Sequence, residues 1–485
     1  MAGGSLAART RRDRALAIAR SASAIRAPES DAVRRWLTTP GPASRMTADV
    51  VPLTALQGWR RDPATGDLHH ESGRFFTVQG LTAEIPGAPV DRWSQPIISQ
   101  PEIGILGLLA RESDGVLEFL MQLKREPGNH NGVQLAPTVQ ATRSNYTRVH
   151  GGRSVPFLEF FRDPPPHGLV ADVRQSEQGA WFFRKRNRNM IVLTDGHVDP
   201  PEEFRWLTLG QVHRALAEDD LVNMDARTVL SCLPFADAGL ARELGGGSGF
   251  RAALVRSCDE DEPSRHTTDD LLMWITDARS RHEIRTSRAP LDGLPHWRRT
   301  DEKISHESGL FFDVVGVDVR AGKREVLRWA QPMIRPHGEG VVAFLAKPID
   351  GVLHVLAHAR VEPGYVDVIE LAPTVQCTPA NLACLPADAR PPFLDEVLGA
   401  GPERIRYAAT LSEEGGRFHH ARNRYLVVET DVEDAESGDY RWVALHQLAA
   451  LVRHSHYVNV QARSLLACLH SLFGGSGRGG AALPT

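Results

Sequence analysis

Apolar and polar positions along this chain form runs that predict strands, and the same runs come round a second time. Ile103 to Arg111 and Val116 to Lys124 are two apolar stretches joined at Ser113-Asp114-Gly115. Asp-Gly between apolar runs is a strong hairpin signal, because both turn residues tolerate the left-handed backbone that such a turn needs. The pattern returns as Val341 to Ala346 and Val352 to Arg360, around Ile349-Asp350-Gly351. Arg74 to Leu81, Val133 to Ala141, Ala180 to Arg184 and Asn189 to Thr194 read as further strands. Helical signals flank them. Asp31 to Leu37 and Asp269 to Ile275 look like short capped helices, Thr208 opens one through Ala217, and Asp225 opens another through Leu233. The order predicts an α+β fold, with a mixed sheet flanked by helices in each half.

The recurrence is a tandem duplication. Leu135-Ala136-Pro137-Thr138-Val139-Gln140 is repeated as Leu371-Ala372-Pro373-Thr374-Val375-Gln376, 236 positions later. The same offset relates Glu126-Pro127-Gly128 to Glu362-Pro363-Gly364, Gln95-Pro96 to Gln331-Pro332, and Arg186-Asn187-Arg188 to Arg422-Asn423-Arg424. Trp36 and Trp59 match Trp274 and Trp297 at an offset of 238, which a two-residue indel before Glu71 explains. Repeats set the domain count before any finer reading. We expect a disordered extension over 1–29, module one over 30–236, a partly helical, solvated linker over 237–266, module two over 267–473, and a disordered tail over 474–485.

Composition narrows the function classes. A chain of 485 residues exceeds what one hydrophobic core supports. Its net charge of −4 supplies no field for nucleic acid or a membrane surface, although a pocket can still be basic. Five cysteines without CxxC spacing fit neither a disulfide framework nor a zinc site and suit a cytoplasmic location. No apolar run reaches membrane-spanning length.

Three loops carry candidate chemistry. The first, Lys124 to Asn131, holds Glu126 and His130, and its Glu-Pro-Gly is retained in both copies. The second runs from Gln140 to His150 and holds Arg143, Asn145, Tyr146 and Arg148. Arginine forks suit phosphate oxygens and tyrosine can stack on a base. Module two has Pro379, Leu382, Cys384 and Pro386 in place of Arg143, Tyr146, Arg148 and His150, so the modules do not carry equivalent sites. The third runs from Gln175 through Lys185, Arg186, Asn187 and Arg188, and its counterpart holds Arg417, His419, His420, Arg422, Asn423 and Arg424. No GxGxxG, Walker A, HExxH or GxSxG motif is present, and His69-His70-Glu71 lacks metal-site spacing.

The phrases QPII (95–98), EPGN (126–129), LAPTVQATRSNYTRVHGG (135–152), KRNRNMIV (185–192) and VNMDARTVL (222–230) resemble the NDP-hexose 2,3-dehydratases of deoxysugar biosynthesis. ELAPTVQ (370–376) and SEEGGRF (412–418) resemble the second half of that family, so the resemblance spans roughly 30 to 470. It implies two Nudix-hydrolase-like modules, a homodimer, a dTDP-linked 4-keto-6-deoxyhexose substrate, no cofactor and no metal. It also implies a place in antibiotic biosynthesis, with a downstream 3-ketoreductase as pathway partner. No segment fits the Nudix box GX5EX7REUXEEXGU. On this reading Glu126, His130 and His150 are base or acid candidates in module one, and His358, Glu362, Tyr365 and His419 are the rival set in module two. Arg143, Arg148 and Arg186 are expected at the diphosphate, and Asn145 and Tyr146 at base or ribose. Gln140, Lys185, Asn187, Arg188, Gln376, Arg417, Arg422, Asn423 and Arg424 complete the expected substrate-binding set. A metal-dependent diphosphate hydrolase and a non-catalytic sugar-nucleotide-binding protein are the alternatives.

Overall fold

The structure is a computed structural model, described over residues 11–24, 35–37, 46–146, 154–235, 237–244, 248–322 and 326–474. Each module builds a seven-stranded mixed sheet around its predicted hairpin. In module one the order is Leu169–Ser176, Arg186–Leu193, Gly104–Ser113, Val116–Arg125, Phe204–Thr208. Val133–Ala136 adds to Val116–Arg125, and Val139–Ala141 adds to Gly104–Ser113. One pair, Arg186–Leu193 with Gly104–Ser113, is parallel. Module two repeats the arrangement around Gly340–Ile349 and Val352–Val361. Both hairpins turn as their sequence demands: φ is 52° and 78° at Asp114 and Gly115, and 50° and 77° at Asp350 and Gly351.

The repeated Leu-Ala-Pro-Thr-Val-Gln phrase is not one strand, as expected over Val133 to Ala141, but a crossing between two. Pro137 cannot donate to a ladder, and the chain leaves one hairpin strand there to join the other. Thr138 bridges the gap: its Oγ1 accepts from the Leu109 amide at 2.9 Å and donates to the Leu120 carbonyl at 2.5 Å. Thr374 does the same between Leu345 and Leu356, at 3.0 and 2.5 Å.

Each module also carries a five-stranded antiparallel sheet, and here the halves exchange an element. Met46–Val51 pairs with Phe312–Ala321 of module two, while Arg285–Ala289 pairs with Thr77–Glu84 of module one. Each leading strand thus completes the other module's sheet. The main core is likewise continuous across the repeat, joining Leu106, Phe119 and Ile191 to Val342, Phe344 and Val427 through the helices Met224–Leu230 and Val460–Ser471.

Several expectations change. Residues Arg11–Ser23 of the supposedly disordered extension form a helix whose Ala15, Ile18, Ala19 and Ala22 are buried. Their i, i+3, i+4, i+7 spacing makes one apolar stripe of small residues, which an Arg- and Ala-rich composition disguises. The linker is helical at Ala238–Glu243 and Gly249–Arg256, but Leu240, Leu254 and Val255 are buried in the core rather than solvated. Ala180 to Arg184 is a turn and not a strand, because the Trp181 and Phe182 amides donate back to the Gln178 carbonyl. Asn223, not Asp225, caps the helix Met224–Leu230. Residues 35–37 of the first expected helix are helical, and the tail beyond 474 lies outside the described residues. No helix among the described residues is long and apolar enough to cross a membrane.

Candidate active site

The two Glu-Pro-Gly turns are docking elements. The turn of module one packs on the Ser-Glu-Glu-Gly-Gly loop of module two: the Gly128 amide donates to Gly415 O at 2.8 Å, and the His420 amide donates to Gly128 O at 2.9 Å. A Cβ at Gly128 would overlap the Phe418 carbonyl. Gly364 meets Arg184 and Phe182 of module one in the same way. Each loop is braced from behind by a retained glutamine, with Gln95 Nε2 donating to Ala180 O and Gln331 Nε2 to Gly416 O, both at 2.6 Å.

This docking encloses a cavity of about 230 Å³ against the module-one sheet. Lys124, Glu126, Gln140, Glu177, Lys185, Asn187 and Asp225 form its module-one wall. Trp59, His70, Phe75 and Phe76 form an aromatic wall, while Trp329, Gln331, Glu414 and Arg417 reach in from module two. The cavity therefore belongs to neither half alone. Gln140 Nε2 donates to Glu126 Oε1 at 2.7 Å, and Lys124 Nζ lies 3.9 Å from the same oxygen. Asn187 Nδ2 donates to Glu177 Oε1 at 2.6 Å, leaving Glu177 Oε2 buried without a hydrogen bond. Lys185 Nζ donates to the Glu102 carbonyl. Arg417 lies 4.3 Å over the Phe76 ring and donates to Gln100 Oε1 at 3.3 Å.

Crowding several carboxyl groups into a partly buried space raises their hold on protons. Burial, then Glu126, raises Glu414 to about 7. Burial also raises Asp225 and Glu177, with Glu177 and Glu414 adding to the effect at Asp225 and Arg463 and Lys185 opposing it at Glu177. The Lys185 ammonium is pushed down to about 8 by burial, against the pull of Glu177. Glu414, which releases its proton at about 7, shares the cavity with an amine that releases one at about 8, which suits proton transfer to and from a bound molecule.

The matching place in module two keeps the frame and loses the chemistry. Gln376 Nε2 donates to Glu362 Oε1 at 2.9 Å and Asn423 Nδ2 to Glu413 Oε1 at 2.6 Å, as in module one. Lys185, however, is matched by Ala421, Asp225 by Gln461, Glu102 by Gly338, and Glu414 by Gln178. Gln178 Nε2 donates to Glu413 Oε2 at 2.6 Å, so an amide answers the carboxylate there. Tyr365, matched by Asn129 in module one, is 5 % exposed and packs against Gly179 and Glu362. Arg360 closes on Glu362 at 2.9 Å.

Of the expected residues, Glu126, Gln140, Lys185, Asn187 and Arg417 come together at the cavity. Arg143 begins the short helix Arg143–Tyr146, which includes Asn145 and Tyr146, and Glu102 holds that helix by accepting from Ser144 N at 3.0 Å and Ser144 Oγ at 2.8 Å. Arg148 and His150 lie outside the described residues. The other candidates sit elsewhere. His130 is at the module junction, 5.5 Å from the His420 ring, and His419 stacks on His420 at 4.0 Å. His358 stacks on Tyr440 at 4.5 Å. Arg188 forms an ion pair with Asp172 at 2.6 Å, and Arg422 pairs with the buried Asp220 at 2.7 Å. Arg186 lies near His456, and Arg424 faces Thr410 across a strand pair. Glu362, Tyr365, Gln376 and Asn423 belong to the packed module-two counterpart. Asp225, Glu414, His70, Trp59 and Trp329 line the cavity although none of them is among the expected site residues. For Asp225 and Glu414 a signal existed: each stands where the two copies differ within an otherwise retained stretch.

Comparison with known proteins agrees with this architecture. Residues 30–233 and 268–469 each match the model of the NDP-hexose 2,3-dehydratase family. A dTDP-4-dehydro-6-deoxy-alpha-D-glucopyranose 2,3-dehydratase of Amycolatopsis orientalis is 49% identical over 444 residues, covering 90% of both chains. Enzymes with the same description from Saccharopolyspora spinosa and Streptomyces violaceoruber are 48% identical over 441 residues and 46% over 455, covering 90% and 92% of this chain and 90% and 98% of their own.

Proposed function

The chain belongs to the NDP-hexose 2,3-dehydratase family, and from that premise we propose how its buried carboxyl cluster carries out the reaction. The protein eliminates water across C2 and C3 of dTDP-4-keto-6-deoxyglucose, giving a 3,4-diketo-2,6-dideoxy sugar nucleotide. The C4 ketone acidifies the C3 hydrogen, a base removes that proton, and hydroxide leaves C2 with the help of an acid. The enol then tautomerises to the ketone. Elimination moves no net electrons.

In our reading the cavity of module one is the reaction chamber. Glu126 removes the C3 proton, oriented by Gln140 at 2.7 Å with Lys124 Nζ 3.9 Å from the same oxygen. Lys185 donates to O4 as negative charge develops there, inside a low-dielectric space where such a donor is most effective. Glu414, which keeps its proton up to about 7, protonates the departing hydroxyl. The aromatic wall of Trp59, Phe75 and Phe76 faces the deoxygenated edge of the sugar. Arg143 takes the nucleotide diphosphate, and Asn145 and Tyr146 take the base or ribose, on the short helix that follows the cavity-lining Thr142. The observation that carries this reading is the asymmetry of the repeat. Lys185, Asp225 and Glu414 converge on one cavity, and their counterparts are Ala421, Gln461 and Gln178.

The mixed sheet with its single parallel pair supports derivation of each module from a Nudix-hydrolase-like fold. The reactive diketone product supports direct use by a 3-ketoreductase. A homodimer, a cytoplasmic location and a role in antibiotic biosynthesis complete the proposal. The hydrolase and the non-catalytic binder are disfavoured by relatives that share the dehydratase description over nine-tenths of the chain. The test is incubation of purified protein with dTDP-4-keto-6-deoxyglucose, with and without EDTA, following loss of the C2 oxygen by mass spectrometry. Loss of water at equal rates is expected. Return of intact sugar, under conditions in which a related dehydratase acts, would overturn the assignment.

A further inference from the structure

Two arginines at the centre of the molecule, Arg227 and Arg463, are wholly buried and related by the repeat. Each reaches from its own module's helix into the other module. Arg463 donates to Ser176 O at 2.6 Å, Val458 O at 2.5 Å and Thr228 Oγ1 at 2.7 Å. Arg227 donates to Ser412 O at 2.7 Å, Val222 O at 2.7 Å and Ser464 Oγ at 3.3 Å. Ser176 and Ser412 immediately precede the two equivalent loop glutamates, Glu177 and Glu413. Burying a guanidinium carries a desolvation cost, and apolar side chains of similar size often serve stability as well; Arg463 is in addition faced by the buried carboxyl groups of Glu177 and Glu370.

The two glutamates differ in what else answers their charge. Glu413 accepts three side-chain hydrogen bonds, each at 2.6 Å, from Gln178, Asn423 and the Tyr425 hydroxyl. Glu177 accepts from Asn187, and its second oxygen is buried without a hydrogen bond. Position 425 of module two is matched by Asn189, whose amide nitrogen donates to the Asn187 carbonyl at 3.4 Å rather than to Glu177. The carboxyl beside Lys185 is thus the one with fewer hydrogen bonds, and the loop that carries it is held from behind by Arg463. Arg227 holds a carboxylate that is already satisfied.

We propose that Arg463, contributed by module two, is a positioning residue for the module-one site: it fixes the Ser176-Glu177 backbone and sets a guanidinium charge behind Glu177 and Lys185, whereas its mirror Arg227 is structural. The inference rests on the assignment of the module-one cavity as the reaction chamber. Burial raises Glu177, and Arg463 and then Lys185 oppose that rise. Without Arg463, Glu177 takes up a proton at higher pH, and Lys185, with less negative charge beside it, gives up its proton at lower pH.

The test compares Arg463→Met, Arg463→Lys and Arg227→Met in the full chain. Infrared difference titration of the resting enzyme reads protonated carboxyl groups with no substrate present. Arg463→Met is expected to gain protonated carboxyl near neutral pH at the two buried groups that face the guanidinium, Glu177 and Glu370; the Glu177 part is absent when Glu177→Gln is added, and Arg463→Lys is expected to restore the wild-type titration. With dTDP-4-keto-6-deoxyglucose, kcat of Arg463→Met should fall about tenfold to a hundredfold, less than the full loss of a proton-transferring group costs. The high-pH fall of its kcat/KM should begin earlier. Arg227→Met should lose a similar amount of thermal stability and keep the wild-type pH profile. An unchanged carboxyl titration in Arg463→Met overturns the inference, as does an equal loss of kcat in the two methionine variants with neither profile moved. Should Arg463→Met fail to fold, Thr228→Val, which removes one of the three acceptors, takes its place. Its kcat should then fall while the mirror change Ser464→Ala leaves kcat alone, and equal effects sink the idea. The infrared result stands without turnover, so a protein inactive on this sugar refutes the chamber assignment and not the arginine's hold on Glu177.

Discussion

Glu126 and Glu362 occupy equivalent places, accept from equivalent glutamines and sit in equivalent Glu-Pro-Gly turns. Glu126 faces a cavity shared with Lys185, Asp225 and Glu414. Glu362 lies in packed protein beside Arg360 and Tyr365. The lesson is that residues retained between copies report mainly on how the halves hold each other. On the proposed reading, the residues at which the copies part report which of the two equivalent glutamates does chemistry. Gly128 and Gly364 are retained because the docking carbonyl leaves no room for a side chain, a constraint indifferent to catalysis.

The sharpest way to break this comparison is the paired change Glu126→Gln and Glu362→Gln. The first should lower kcat about a hundredfold to ten-thousandfold, the usual worth of a general base, and the second should leave it nearly unchanged. Equal losses would mean that the asymmetry is not functional. Lys185→Ala copies the module-two residue into module one and should cost about a hundredfold to a thousandfold in kcat, as removal of an oxyanion donor does. Ala421→Lys should give nothing in return. A pH profile probes the same groups. Glu414 and Lys185 must both be protonated, and they release their protons at about 7 and about 8. kcat/KM should therefore fall as pH rises through that interval, and in Glu414→Gln the lower of the two steps should vanish. A rate still rising at pH 8 would remove Glu414 from the acid's role.

Smaller effects test the symmetrical part. Gly128→Ala and Gly364→Ala should destabilise by similar amounts, about 1–3 kcal/mol for an overpacked contact, read from denaturant midpoints. A large difference between them would show that the two docking turns are unequal. Arg188→Ala removes a partly exposed ion pair with Asp172 and should change stability by less than about 1 kcal/mol with kcat intact.

Much of the frame was legible in the sequence. The Asp-Gly hairpins, the capped helix after Thr208 and the duplication follow from local pattern. The strand break at Pro137-Thr138 did not, because an apolar phrase looks continuous until Thr138 is seen to bridge two strands. Nor did the site's membership. Arginine-rich runs drew notice as anion binders, yet Arg188 and Arg422 serve ion pairs. Asp225 reads as a helix cap when Asn223 is the cap, and only the fold shows that its carboxyl lines the cavity. Glu414 lies 288 residues from Glu126, and no spacing rule joins residues brought together by two docked modules.

The exchanged leading strands, Met46–Val51 and Arg285–Ala289, give the chain the form of a domain-swapped pair whose two partners have been joined end to end. Two separate identical subunits would carry every substitution in both sites. In a single gene, Lys can stand at 185 and Ala at 421, so the two halves can diverge while module two still contributes Glu414 to the cavity across the seam. Fusion also replaces association from dilute solution by a high effective concentration, so the support half cannot drift away from the half it serves.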